Sequence, residues 1–196
     1  MKVNLLLFDD FETLDAFGPA EVLHRADDCL LDCFSAKGGE VVSAQNIKVV
    51  TRPFSEADPA GVFLLPGGMG TRKLVEDAEF IALIGAAAGA AAYVLTVCTG
   101  SALLAKTGLL DGRRATSNKR SFAWVRSVNP VVRWVPNARW VVDGNVYTSS
   151  GVSAGTDMAL GFLADRHGRA FAQALAARIE YIWQEDPDSD PFAVAD

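Results

Sequence analysis

Tyr93-Val94-Leu95-Thr96-Val97-Cys98-Thr99-Gly100-Ser101-Ala102-Leu103-Leu104-Ala105-Lys106 passes from an apolar, β-branched run to a helix-forming run within three residues. Tyr93–Val97 reads as a buried strand, because a short continuous apolar run is what a strand covered on both faces requires. Ser101–Lys106 reads as a helix that Gly108 terminates. Between them Cys98-Thr99-Gly100 is a sharp strand-to-helix corner, the geometry of a nucleophile elbow, with a small residue where the turn is tight.

Outward from this corner the same alternation repeats. Glu79–Gly89 is an Ala-rich helix running into Tyr93–Val97, so the long apolar stretch from Phe80 to Val97 needs no membrane. Val62–Leu65 is a buried strand that stops at Pro66-Gly67-Gly68-Met69-Gly70. Val3–Phe8 and Leu30–Ala36 are further strands. A helix opens at Gly18-Pro19 and runs to about Arg25, with proline in a first turn. Val41–Val42 and Ile47–Thr51 suit a small hairpin or sheet edge. Later come a short strand Ala115–Ser117, a helix Ser121–Ser127 and a hairpin of Arg139–Val142 with Val146–Ser149 around Asp143-Gly144-Asn145. Helices over Ser153–Ala164 and Phe171–Gln184 close the pattern, and the acidic tail 185–196 is expected to fray. Strands alternating with helices predict one α/β domain over 1–196, a mostly parallel sheet with helices on both faces.

Half of the 196 residues are hydrophobic and the formal net charge is −6. An acidic chain repels phosphate backbones, which disfavours nucleic acid as a partner. Arg113-Arg114 and Lys119-Arg120 are read as a solvated rim. Three cysteines at irregular spacing and an opening strand in place of a leader fit a reducing cytoplasm.

In such a sheet, functional groups gather at the carboxyl ends of strands. Cys98 is the candidate nucleophile: unpaired amides at the start of the following helix favour a thiolate over a thiol. Cys29 and Cys33 read as small core residues. Asp15, set in Leu14-Asp15-Ala16-Phe17-Gly18-Pro19, is a carboxyl in apolar company, where desolvation raises its pKa and suits it to carry protons. The Gly67-Gly68 turn suits either a tight bend or amides aimed at an anionic intermediate. His24 and His167, the only histidines, lie away from the strand ends, which leaves no histidine at hand for a Cys-His dyad or a zinc cluster.

Together with Leu64-Leu65-Pro66-Gly67-Gly68-Met69-Gly70, Val97-Cys98-Thr99-Gly100-Ser101, Gly108–Thr116 and Ser150–Asp157, the Asp15 segment resembles the ThiJ/PfpI superfamily, whose fold is that of the class I glutamine amidotransferases. Within it the chain is most similar to isonitrile hydratases and to the sensor domains of AraC-type regulators. The resemblance implies a flavodoxin-like three-layer sandwich and a cofactor-free homodimer acting on a small molecule. It also implies Cys98 as nucleophile, Asp15 as its acidic partner, Thr99 beside the thiolate, and amides near Gly67 and Gly68 around the reacting group. In the hydratase reading an isonitrile and water give an N-formamide. The alternatives are a small-molecule or oxidation sensor without turnover, or a glyoxalase- or deglycase-like activity on reactive carbonyls. Asn118-Lys119 stands where many relatives carry a His-Trp pair, so Asn118 is expected to border the pocket and to bear on substrate choice.

Overall fold

The computed structural model describes residues 1–26 and 29–193. Ten strands form in chain order: β1 Lys2–Leu6, β2 Leu30–Ser35, β3 Gly39–Val42, β4 Lys48–Pro53, β5 Val62–Leu65, β6 Tyr93–Val97, β7 Arg114–Ala115, β8 Arg133–Trp134, β9 Trp140–Asp143 and β10 Val146–Ser149. Eight of them make one sheet, ordered β3-β4-β2-β1-β5-β6-β10-β9, while β7 and β8 pair separately. The central members run parallel, and only β3 and β9, at the two edges, are antiparallel to their neighbours. This is the mostly parallel α/β sheet that the alternation of elements predicts, in the flavodoxin-like arrangement that the resemblance implies. β1, β5 and β6 are buried on both faces, as their unbroken apolar runs require.

Among the described residues seven helices flank the sheet: α1 Thr13–His24, α2 Thr71–Leu74, α3 Ala78–Ala90, α4 Gly100–Lys106, α5 Phe122–Val128, α6 Ala154–His167 and α7 Arg169–Arg178. α6 packs on both α1 and α7, and α4 packs on α2, α3 and α5. The α1–α6 contact is close. A Cβ at Gly18 would lie 2.6 Å from Thr156 Oγ1, and one at Gly155 would lie 2.7 Å from Val97. α3 starts where Asp77 accepts from the amides of Glu79 and Phe80 at 3.0 and 3.1 Å, the usual way to satisfy orphan N–H groups.

Four expectations are corrected. α1 begins at Thr13, not at Gly18, so Pro19 lies inside it. Its missing N–H leaves the Asp15 carbonyl without the usual helical donor. The first turn is held instead by Gln45, whose Oε1 accepts from the Thr13 amide at 3.0 Å while its Nε2 donates to the Glu12 carboxylate. The last helix stops at Arg178, not at Gln184. Buried Asp157 draws the chain out of the helix, accepting from the Tyr181 hydroxyl and the Gln184 amide, both at 3.0 Å.

The acidic tail is docked rather than frayed over its described part, 185–193; residues 194–196 lie outside the described residues. The Pro187 carbonyl accepts from the Arg139 amide at 2.7 Å. Asp190 is buried, 3.7 Å from both the Lys119 ammonium and the Arg139 guanidinium. The strand expected at Ala115–Ser117 shortens to β7, which pairs with the unforeseen β8.

Among the described residues no helix is long and apolar enough to cross a membrane.

Candidate active site

β1, β5 and β6 are adjacent and parallel, so their carboxyl ends open at one edge of the sheet. The segments that follow them bring together Asp15, Gly67-Gly68 and Cys98. This is where the strand order reverses, and such a crevice is where doubly wound sheets hold their ligands.

Cys98 sits in the left-handed region, with φ +56°, a conformation that costs an L-residue about 1–2 kcal/mol. Its backbone is held from three directions. The amide is shared between the Ser149 and Ser150 carbonyls at 3.3 and 3.2 Å. The carbonyl accepts from Ser101 Oγ at 3.0 Å and Ser117 Oγ at 2.8 Å. With every backbone polar group engaged, the strained corner is fixed and the side chain is aimed rather than free.

Asp15 is fully buried. Its Oδ2 accepts from the Gly67 amide at 3.0 Å. Its Oδ1 is buried without a hydrogen-bond partner, and the Cys98 thiol and the Val152 amide also bear on the carboxyl. Val152, like Cys98, has a positive φ, +50°. Burial pushes the Asp15 carboxyl up to about 7, against the smaller stabilising effect of the Gly67 amide and the Cys98 thiol.

The same burial raises the Cys98 thiol, which is 7 % exposed, well above its ordinary value, and the negative charge of Asp15 adds to the rise. The backbone amide and the hydroxyl of Thr99 oppose it. This corrects the expectation of a lowered thiol pKa. The turn supplies donors to the sulfur, but exclusion of water and a neighbouring acid outweigh them. The two groups therefore behave as a unit that carries a single negative charge more readily than two.

The Gly67 and Gly68 amides have partners within the site. The Gly67 amide is spent on Asp15, and the Gly68 amide donates to Thr99 Oγ1 at 3.0 Å. Thr71 Oγ1 donates to Thr99 Oγ1 as well, at 3.0 Å. The amide that faces the sulfur is that of Thr99 itself. Glycine is required at 67 for space, since a Cβ there would lie 2.6 Å from Thr99 N and 2.9 Å from Asp15 Oδ2. At 68 it is required for backbone, with φ +128°.

Asn118 is half-buried, and its Oδ1 caps a 3-10 turn by accepting from the Ser121 amide at 3.0 Å. Its amide nitrogen fills the space beside the Gly151 Cα. Asn118 thus braces the loop that also carries Ser117, next to the Cys98 carbonyl. Lys119, read as rim, is buried instead, donating to Thr116 Oγ1 at 2.9 Å and to the Ala138 carbonyl at 2.6 Å. Desolvation lowers its pKa to about 8.

Ser101, Ser117, Thr71 and Val152 escaped the sequence reading. Only Ser101, inside the elbow, carried a local signal. His24 ends α1 and is exposed, and His167 packs its ring 4.9 Å from that of Phe171. Among the described residues no group of three or more metal-binding side chains forms.

A parallel sheet whose central strand ends in a strained cysteine, facing a buried carboxyl across the point of reversal, defines a class of α/β proteins built around an elbow cysteine. The chain belongs to the DJ-1/PfpI family, whose sequence profile matches residues 1–165. It is 32 % identical to the isonitrile hydratase of Pseudomonas putida, over all of this chain and 87 % of that protein. It is 26 % identical to the HTH-type transcriptional regulator GbdR of Pseudomonas aeruginosa, over 92 % of this chain and half of the regulator. Among solved structures, a ThiJ/PfpI family protein from Pseudomonas syringae superposes with a TM-score of 0.80 at 27 % identity, covering 97 % of this chain and 76 % of the other.

Proposed function

We propose that this protein is a cofactor-free, cysteine-dependent enzyme that adds water to an isonitrile, with Cys98 as nucleophile and Asp15 as proton carrier. The observation that carries the reading is the pair itself: a strained elbow thiol beside a buried carboxyl held near neutrality, at about 7. The similarity to an isonitrile hydratase along the whole chain supports the choice of substrate class.

The steps use one proton held between two groups. Asp15 takes the proton of the Cys98 thiol, and the thiolate attacks the terminal carbon of the isonitrile. Asp15 returns the proton to that carbon, which leaves a thioimidate with a new S–C bond. Water adds to the C=N carbon, one of its protons passing to nitrogen. The C–S bond then breaks, the sulfur regains a proton, and an N-formamide departs. Positioned proton transfer of this kind is worth roughly 10²–10⁴-fold. An acid with a pKa near the working pH gives and accepts with equal ease. Thr99, with its hydroxyl fixed by Gly68 and Thr71, offers its amide to the sulfur.

Similarity to GbdR and the low exposure of Cys98 favour a second reading, a ligand-sensing domain that binds without turnover. One panel separates the two: isonitriles and methylglyoxal with the wild type, Cys98→Ala and Asp15→Asn, following N-formamide and lactate by chromatography. Formamide production lost in both variants supports the hydratase. Wild-type Asp15→Asn activity on every substrate removes Asp15 from the mechanism, and saturable binding with no product leaves the sensor.

A further inference from the structure

Arg72 is the second residue of α2, and its surroundings place it at the site without giving it a role there. On one side its neighbour Thr71 bonds Thr99, the residue after Cys98. On the other, Arg72 donates to Ser121 Oγ at 3.0 Å, and Ser121 is the residue capped by Asn118. Ser117, next to Asn118, bonds the Cys98 carbonyl. The guanidinium is thus closed into a ring of contacts that begins and ends at Cys98. Its Cζ lies over the Trp124 ring, 3.4 Å from the centroid.

A guanidinium stacked in this way has one face covered and keeps its N–H edge, the edge that meets a carboxylate bidentately. Among the described residues Arg72 has no carboxylate partner, although the chain carries 24 acidic residues. Among the described residues the one hydrogen bond its side chain makes is to the Ser121 hydroxyl. Through Thr71 and Thr99 on one side and Ser121, Asn118 and Ser117 on the other, the guanidinium stands beside the elbow that carries the sulfur.

We propose that Arg72 receives an anionic oxygen of the substrate, so that the compounds reacting at Cys98 carry a carboxylate close to their electrophilic carbon. The inference rests on Cys98 being the nucleophile and adds to it the charge of what it attacks.

The test uses two reagents that differ in charge and little else, iodoacetate and iodoacetamide. In each case the sulfur forms a bond to the CH2 carbon, iodide leaves with the electron pair of the C–I bond, and the thiol proton goes to solvent. Peptide mass mapping gives the rate at Cys98 separately from Cys29 and Cys33. Because thiolate content affects both reagents equally, the ratio of the two rates isolates recognition of the carboxylate. The ratio for iodoacetate over iodoacetamide at native Cys98 is expected to exceed that of the urea-unfolded chain by about tenfold, the scale of one charged hydrogen bond. It is expected to return to the unfolded value in Arg72→Gln and to be partly kept in Arg72→Lys.

A native ratio no higher than the unfolded one overturns the proposal, with no variant required, and so does a high ratio that survives in Arg72→Gln. If native Cys98 takes neither reagent, the nucleophile reading itself fails and the proposal falls with it.

Discussion

Replacing Asp15 with asparagine is expected to make the protein more stable at alkaline pH while removing its activity. The carboxyl has a pKa of about 7 when folded, against 3.8 for the unperturbed group. An acid whose folded pKa is raised binds its proton more tightly in the native state. Its contribution is therefore fully present below pH 4 and is lost as pH rises toward 7. At about 1.36 kcal/mol per unit the ionised carboxyl costs about 4 kcal/mol above pH 7. Between pH 5 and pH 8 the loss grows by about 2–3 kcal/mol, which for a chain of this size is on the order of 5–10 °C in thermal midpoint.

Asparagine keeps an oxygen for the Gly67 amide and cannot ionise. Its NH2 group must face the Val152 amide or Cys98, a fixed cost of about 1–3 kcal/mol. Because that cost does not vary with pH, the quantity to follow is the midpoint of Asp15→Asn minus that of wild type, measured by circular dichroism at pH 5 and at pH 8. The difference is expected to shift in favour of the variant by the amount above. A difference that stays constant across this range means that Asp15 titrates as an ordinary surface acid, and the reasoning about its burial is wrong.

The alkylation of Cys98 by iodoacetamide in Asp15→Asn is expected to rise with pH earlier than in wild type, because the negative charge that raises the thiol pKa is gone; a coincident or later rise contradicts this. Gly67→Ala pushes a Cβ against Thr99 N and Asp15 Oδ2. It is expected to abolish turnover and to cost about 1–3 kcal/mol in urea denaturation, the range for overpacking. Asp190→Ala leaves Lys119 and Arg139 buried without their shared acid. A loss of about 3 kcal/mol is expected, and a change under about 0.5 kcal/mol would mean that the tail does not hold those cations.

How much of this was legible in the sequence depends on how local the cause is. Val62–Leu65, Tyr93–Val97 and Val146–Ser149 form as read, the first two because a short apolar run stops at Pro66-Gly67 or at Cys98, the third because Asp143-Gly144-Asn145 marks the turn before it. Asp15 stood out for a similar reason, as an acid flanked by leucine, alanine and phenylalanine. What could not be read depends on partners far along the chain. Pro19 suggested a helix start, yet α1 begins six residues earlier, where Gln45 holds its first turn. The end of α7 is decided by Asp157, and the burial of Asp190 by Lys119 and Arg139. The thiol pKa was misjudged because the elbow's donors are visible in sequence, whereas the absence of water around the sulfur is not.

The docked tail has a consequence for how the molecule is made. Residues 185–193 leave the ribosome after every strand of the sheet has been synthesised, since the last of them, β10, ends at Ser149. Until those residues emerge, the buried Lys119 ammonium lacks its carboxylate, whereas Arg139 already has Asp157. Docking of the tail therefore follows assembly of the sheet, and it brings the carboxylate that Lys119 lacks until then.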